Sequence, residues 1–455
     1  MMVNWFHNRE IRSKVNPAYL LLFTLFFASR LLFVLTLPEI LTTPDSYEYL
    51  ALADSLQEGR FYYEGKPESF RTPGYPFFLA IILAAFPDSF RMVAAFQALL
   101  SALEAVLVFS LVHRFWNNQA GFYAYFILLL NPGGWHCVTS ILTEPLFSCT
   151  VVVLIWVYMT QPFDRRVNYF LCGLLCGVSA LVRPISVWLF IPLTLLICWD
   201  TGKFKPALRN SAIFLAAIFL TQGAWVSRNY AHYQSIYFSE ITAANVYVYW
   251  AQAVLAEEKG ESIHPLILET WDEWQARRRE LSPPQMLEYF NTKGMAILKE
   301  RKAHALLVAV KGAFRQIIES GFTRFLSRYT PELPLKHADI IQQVLHPESV
   351  GLWVLYSSVL AFRFLEISVV MLLFVASFSL VAKTVFQVMC NREAREQHRL
   401  ILLGGIILFY LYLLSSGPAA GVRFREQYFP VLVLLGVAVL LQSGRCLRSS
   451  RSMIV

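Results

Sequence analysis

The stretch PAYLLLFTLFFASRLLFVLTL, residues 17–37, decides the fold: within it only Arg30 carries a charge. As a helix it rises about 30 Å, the thickness of a bilayer's hydrocarbon core. Arg9, Arg12 and Lys14 precede it, which assigns that end to the cytoplasmic side. The run is too long for a cleaved signal and no cleavage site follows, so it reads as a retained anchor.

Working outward, apolar runs recur at 91–114, 121–136, 146–160, 169–181, 185–199, 211–226, 353–385, 400–415 and 428–441, which with the first make ten spans. The run 75–86, between Pro73 and Pro87, is too short to cross and reads as a re-entrant or interfacial piece. With that piece uncounted, the clusters His113/Arg114, Arg165/Arg166, Lys203/Lys205/Arg209, Arg392/Arg395/Arg399 and Arg445/Arg448/Arg451 all share the side of the basic N-terminus. Both termini are therefore expected in the cytoplasm of a multi-pass cell inner-membrane protein, with the loops 38–90, 137–145 and 228–351 outside. The chain divides into an N-terminal membrane module (1–227), an outer loop (228–351) and a C-terminal membrane module (352–455).

Composition agrees. Of 455 residues 56% are hydrophobic and 15% charged, and the mean hydropathy is +0.49, too apolar for a soluble chain of this length. The net charge of +8 comes from clusters between apolar runs and from one polar loop, which is membrane topology and not a nucleic-acid surface. Seven cysteines show no CxxC pair and read as small apolar residues. In the long loop, Leu307, Val310, Phe314, Ile317, Phe322 and Phe325 recur at helical spacing among Lys302, Lys311, Arg315, Arg324 and Arg328, the pattern of a basic amphipathic helix in the membrane interface.

The chemistry-bearing residues sit on the outer side. The first outer loop opens Pro44-Asp45-Ser46-Tyr47-Glu48-Tyr49 and closes Arg71-Thr72-Pro73-Gly74-Tyr75-Pro76. A carboxylate there meets both a lipid-borne molecule and an aqueous one, as a general base would. Asp45-x-x-Glu48 also fits a capping box, with Asp45 as N-cap. Glu144, in Thr143-Glu144-Pro145, stands at the outer mouth of a span, where a carboxylate either greets the helix dipole or binds substrate. Arg183, Arg228, Arg423 and Arg425 lie at later outer borders, where guanidinium groups snorkel to headgroups or chelate phosphate oxygens. Arg423 and Arg425 share a face only if that stretch is extended.

The ordered set Asp45-x-x-x-Tyr49-Leu50-Ala51, Arg71-x-Pro73-x-Tyr75-Pro76, Thr143-Glu144-Pro145, Arg183-Pro184, Trp225-x-x-Arg228-Asn229 and Arg423-Phe424-Arg425 resembles the GT-C glycosyltransferases. The nearest resemblance is to bacterial relatives of protein O-mannosyltransferases and of the lipid A aminoarabinose transferase. It implies an all-α membrane bundle of about ten transmembrane helices, with interfacial helices in the first and long outer loops. It also implies inverting transfer of a hexose or pentose from a polyprenyl-phosphate carrier to a protein, lipid A or glycan acceptor on the non-cytoplasmic face. Carried over by position, Asp45 is the base, Glu144 and Glu48 bind substrate or an ion, and Arg423, Arg425 and Arg228 hold the donor phosphate. Tyr49, Arg71, Tyr75 and Arg183 complete the motifs as substrate-binding positions. Ser46 stands where an acidic neighbour often follows the base, which leaves a divalent cation open; Gln427 stands where proline is common.

Two other readings remain: a transporter or flippase, and a surface-glycan polymerase or ligase using a pyrophosphate-linked carrier. A transporter places ionisable groups at mid-membrane and repeats its halves. Here the charges sit at the outer borders, with Arg30, Glu104, Arg363 and Glu366 the main exceptions, and no half repeats. The orientation is directly testable. In a cysteine-free background, Cys placed at Ser262 or Ser282 should react with an impermeant thiol reagent from outside, and Cys at Ser449 should not; the opposite sidedness would invert the topology.

Overall fold

Proline and glycine punctuation sets where the helices end. A computed structural model describes residues 17–40, 42–327, 330, 337–346, 349–390 and 398–437. Arg9, Arg12, Lys14, Arg328, Arg392, Arg395, Arg445, Arg448, Ser449, Arg451 and the last residues of the 428–441 run lie outside the described residues.

The first apolar run is α1 (Pro17–Thr36). The first outer loop holds α2 (Pro44–Gln57), a hairpin pairing Tyr62–Tyr63 with Lys66–Pro67, and α3 (Gly74–Ala85). Glu64 and Gly65 both have positive φ, as a two-residue hairpin turn of type I′ requires. Then come α4 (Phe90–Phe115), α5 (Asn118–Leu130), α6 (Pro132–Val138), α7 (Glu144–Thr160), α8 (Arg165–Val182), α9 (Phe190–Thr201), α10 (Phe204–Ile218) and α11 (Ala224–Tyr233). A π-helical turn at Phe219–Gly223 joins α10 to α11. The outer segment contributes α12 (Ile241–Ala244), a π-helical stretch Asn245–Ala251, α13 (Gln252–Lys259), α14 (Ile263–Glu280), α15 (Pro283–Glu300), α16 (Lys302–Ile318), α17 (Gly321–Leu326) and α18 (His337–Leu345). The chain then returns through α19 (Val350–Cys390), α20 (Arg399–Ser415) and α21 (Val422–Glu426).

Among the described residues, six helical segments are long and apolar enough to cross a membrane: Pro17–Thr36, Phe90–Phe115, Arg165–Val182, Pro184–Thr201, Phe204–Tyr233 and Val350–Met389. Gly74–Ala85, Glu144–Thr160 and Arg399–Ser415 are apolar but shorter, so length alone supports fewer crossings than the ten read from the runs. The span expected at 121–136 is in fact two helices. Asn131 is extended (φ −64°, ψ 110°), because the residue before Pro132 is kept from helical geometry. The run 185–199 likewise begins with a 3-10 turn, Pro184–Ser186, before α9. Leucines on the open face of α1 (Leu20, Leu21, Leu25, Leu32, Leu35) are exposed, as lipid-facing side chains are.

In the bundle, α4 packs on α1, α5 and α7, α8 lies between α7 and α10, and α20 closes from α19 back onto α7 and α9. The α8–α10 contact depends on Gly173 and Gly177. A Cβ at either would strike the Phe214 carbonyl or the Thr221 hydroxyl, so small residues four apart permit the close crossing.

The amphipathic run of the long loop is also divided, ending α16 at Ile318 and restarting as α17 at Gly321. Leu306, Leu307, Val310 and Phe314 of α16 stay exposed. The break leaves carbonyls and N–H groups without helical partners. Arg425, fully buried, donates from Nη1 to the carbonyls of Gln316 (3.2 Å) and Glu319 (3.0 Å), and from Nη2 to Glu366 of α19 (2.8 Å). Glu366 in turn accepts from the Ser320 hydroxyl (2.6 Å) and from the N–H groups of Gly321 (2.8 Å) and Phe322 (3.0 Å), which start α17. Removing one partner of a buried pair strands the other. Arg425→Met is expected to cost about 3–5 kcal/mol and to lower the thermal unfolding midpoint of the detergent-solubilised protein, with Glu366→Leu behaving alike. An unchanged midpoint in both would show the knot to be dispensable.

Candidate active site

The N-terminus of α2 points at the mouth of α7, and the cap fixes its aim. Thr43, not Asp45, is the N-cap. Thr43 and Ser46 satisfy each other's backbone N–H groups, and Pro44 occupies the first helical position, where its missing donor costs nothing. The capping box expected of Asp45 and Glu48 therefore falls on the Thr43/Ser46 pair, because threonine at the extended position reaches the third N–H. The Ser46 hydroxyl also donates to the Ile141 carbonyl at 2.8 Å, tying α2 to the second outer turn. Asp45 is thus free of capping, and it shares a helix face with Glu48 and Tyr49 one turn on.

Arg71 reaches that face from the end of the loop. Its Nη2 is 2.7 Å from Asp45 Oδ1 and its Nε 2.5 Å from Glu48 Oε2, and Nη1 donates to the Tyr49 hydroxyl at 3.4 Å. From the C-terminal module, Arg423 Nη1 lies 2.8 Å from Asp45 Oδ2 and its Nε 2.5 Å from Glu144 Oε1. Arg183 Nη1 completes the row at 2.8 Å from Glu144 Oε1, and it donates to the Thr143 hydroxyl. The result is an unbroken ladder Glu48–Arg71–Asp45–Arg423–Glu144–Arg183 with no net formal charge.

Its members differ in access. The Glu144 side chain is 1% exposed, whereas Asp45 is 30% and Arg423 24% exposed. Burial pushes the Asp45 carboxyl up, but the Arg71 and Arg423 charges outweigh it and hold the group well below the usual carboxylate range. Burial wins at Glu48, which is raised despite Arg71. Two carboxylates one turn apart are thereby driven in opposite directions.

Tyr75 lies beneath, fully buried, with its ring edge-on to Tyr49 at 5.1 Å and its hydroxyl donating to Gln97 Oε1 at 2.8 Å. Gln97 Nε2 donates to the Val138 and Ser140 carbonyls (2.9 and 2.7 Å), holding the turn that presents Glu144. No motif marks Gln97; an amide inside an apolar helix was the available signal.

Two expected phosphate ligands are elsewhere engaged. Arg228 donates to the carbonyls of Phe61 (3.0 Å) and Glu68 (2.6 Å) and to Asn229, clamping the first outer loop from behind. Arg425 turns into the α16–α17 break. Because 422–426 is helical, residues two apart diverge, so only Arg423 of that pair joins the ladder.

A divalent cation does not fit between Asp45 and Glu144 as they stand, because Arg423 occupies the bridging position. Among the described residues no three of His, Cys, Asp or Glu gather as a metal-holding group.

A family described as dolichyl-phosphate-mannose-protein mannosyltransferase matches residues 70–225, a stretch holding Arg71, Tyr75, Glu144 and Arg183. No curated protein matches the chain. Among solved structures, the oligosaccharyltransferase of Archaeoglobus fulgidus in the apo form is similar over 97% of this chain and 52% of its own, at 14% identity and a TM-score of 0.50. The same organism's AglB, in complex with an inhibitory peptide and a dolichol-phosphate, covers 96% and 51% at 12% identity, again with a TM-score of 0.50. ArnT of Cupriavidus metallidurans, bound to undecaprenyl phosphate, covers 94% and 78% at 10% identity with a TM-score of 0.43. The chain spans about half the length of the oligosaccharyltransferases it matches. At such identities the likeness is one of fold: an all-α bundle with helices long enough to span a membrane.

Proposed function

We propose that this chain is a glycosyltransferase that moves one sugar from a polyprenyl-phosphate carrier to an acceptor at the non-cytoplasmic membrane face, inverting the anomeric carbon. The observation that carries this reading is Arg423, bonded at once to Asp45 and to Glu144. Asp45 accepts the proton of the acceptor's nucleophile as that atom attacks the anomeric carbon. The carrier phosphate leaves with its bonding electrons and with growing negative charge, which Arg423 and Arg183 stabilise through charge-assisted bonds.

The depressed affinity of Asp45 for a proton fits this order of events. A phosphate competes with Asp45 for Arg423, and as that guanidinium turns toward it, Asp45 loses one of the two cations that hold it down. Its basicity then climbs toward that of an ordinary carboxylate only when donor is present. The dolichol-phosphate and undecaprenyl phosphate in the similar proteins belong to the same ligand class. A transporter is less well supported. Arg30, Glu104 and Glu426, buried within the bundle, line together with Glu144 a cavity of about 30 Å³, room for about two waters and none for a sugar.

The test compares a deletion strain complemented with wild type or variants, reading its surface glycans and glycolipids by mass spectrometry. Asp45→Asn keeps the Thr43 cap, so it should insert normally while transfer falls roughly 10²–10⁴-fold, and one sugar increment should vanish as in the deletion. With purified enzyme, Arg423→Ala should raise the requirement for lipid donor more than for acceptor, by about 1.5–3 kcal/mol. Arg423→Lys should restore little of it if both bonds are used. Wild-type glycans from the Asp45→Asn strain would remove the base from this residue and with it the mechanism.

A further inference from the structure

Two aromatic side chains beside the ladder are not used by it. Tyr249 sits in the π-helical stretch Asn245–Ala251, an irregularity common at functional sites because the extra residue re-aims the side chains around it. Trp271 is on α14. Their ring centroids are 6.4 Å apart and both residues are half-buried. Trp271 also meets Phe70 at 6.2 Å, and Phe70 lies 5.1 Å from the guanidinium of Arg71. Behind them Trp274, Met286 and Phe290 form a closed core, so Tyr249 and Trp271 are the rim of that core on the side of the site. Burial raises the Tyr249 phenol, and the charges of Asp45, Arg71 and Arg423 act on it.

The wall is held in register. Arg278, two turns along the same face of α14 from Trp271, pairs with the buried Glu68 at 2.8 Å. Glu68 accepts the N–H groups of Phe70 and Arg71. Trp271 therefore cannot move away from Arg71 without breaking a buried ion pair. Among the described residues, neither the Tyr249 hydroxyl nor the Trp271 indole N–H has a hydrogen-bond partner. A core aromatic usually buries its polar handle against a partner; these two are half-buried and theirs have none.

An aromatic wall with free donors suits a ligand that is apolar on one face and polar at its rim, and a pyranose ring has that form. We propose that Tyr249 and Trp271 form a carbohydrate subsite beside Asp45, with the C–H face of a pyranose against their rings and its hydroxyls on their free donors. The proposal rests on the glycosyltransferase reading and extends it. The ring belongs either to the donor's sugar or to the acceptor.

The test uses the full chain in lipid nanodiscs and three probes: undecaprenyl phosphate, an undecaprenyl-phosphoryl hexose, and a soluble methyl hexopyranoside. Trp271→Leu and Tyr249→Leu should weaken at least one sugar-bearing probe about ten- to thirtyfold, while Trp271→Phe and Tyr249→Phe, which keep a ring but lose the donor, should fall between the leucine variants and wild type. Loss confined to the glycosylated carrier assigns the ring to the donor; loss of the methyl glycoside assigns it to the acceptor. Unchanged bare-carrier binding would show that the fold persists. Sugar-bearing probes that bind the leucine variants as they bind wild type, a wild type that binds neither of them, or a parallel loss of bare carrier would each overturn the subsite. Arg423→Ala on bare carrier reads the phosphate site separately, so the two readings fail independently.

Discussion

Arg425 sits where α16 ends and α17 begins, and the packing of α16, α17, α19 and α21 depends on what it satisfies. A helix broken in the protein interior leaves carbonyls on one side and N–H groups on the other without helical partners, and neither set finds water there. One guanidinium closes the first set and one carboxylate, Glu366, the second, while the two neutralise each other. The arrangement joins three distant parts of the chain: the outer loop, the long helix α19 and the short helix α21. Because α21 is held there, its next outward residue, Arg423, is presented to Asp45 and Glu144.

The second dependency runs through the turn 68–71. Arg228 holds the carbonyls of Phe61 and Glu68, Ser239 donates to the Phe70 carbonyl at 2.6 Å, and Arg278 pairs with Glu68. Arg228, Ser239 and Arg278 thus grip the turn from which Arg71 projects. Arg71 pairs with both Asp45 and Glu48, and it outweighs burial only at Asp45, where Arg423 joins it. The outer segment, which carries no ladder residue of its own, shapes the site by fixing one arginine's backbone.

The spans were legible because length and apolarity are local properties, and α1, α4, α8 and α19 fall where their runs predict. Glu144, Arg183 and Arg423 were legible as charged types at membrane borders, and Asp45, Glu48 and Arg71 as residues of the first loop's motifs; the structure brings all six together. What was not legible depends on partners remote in sequence. Whether an arginine meets phosphate or a carbonyl cannot be read from its neighbours, and Arg228 and Arg425 both went to carbonyls. The cap at Thr43 was missed because Asp45-x-x-Glu48 and Thr43-x-x-Ser46 are competing patterns in one segment, and only the helix start distinguishes them. The break at Asn131-Pro132 was written in the sequence, but the apolar run on either side concealed it. Tyr249 and Gln97 carry no pattern at all.

A ladder of three acids and three arginines is neutral, so an anion entering it has to exchange with a carboxylate already present. The two carboxylates on Arg423 are unequal in this exchange. Glu144 is almost wholly enclosed, and leaving it unpaired would strand a charge with no water to receive it. Asp45 is partly open, and water or an acceptor hydroxyl can take over one of its oxygens. On the proposed reading, exchange at the Asp45 end is therefore the less costly, and it frees the one carboxylate that a proton transfer requires. Glu144 then acts by staying bound: with Arg183 it keeps Arg423 at the site while that side chain changes partners. The order in which donor and base become ready follows from the difference in burial between two carboxylates that share one guanidinium.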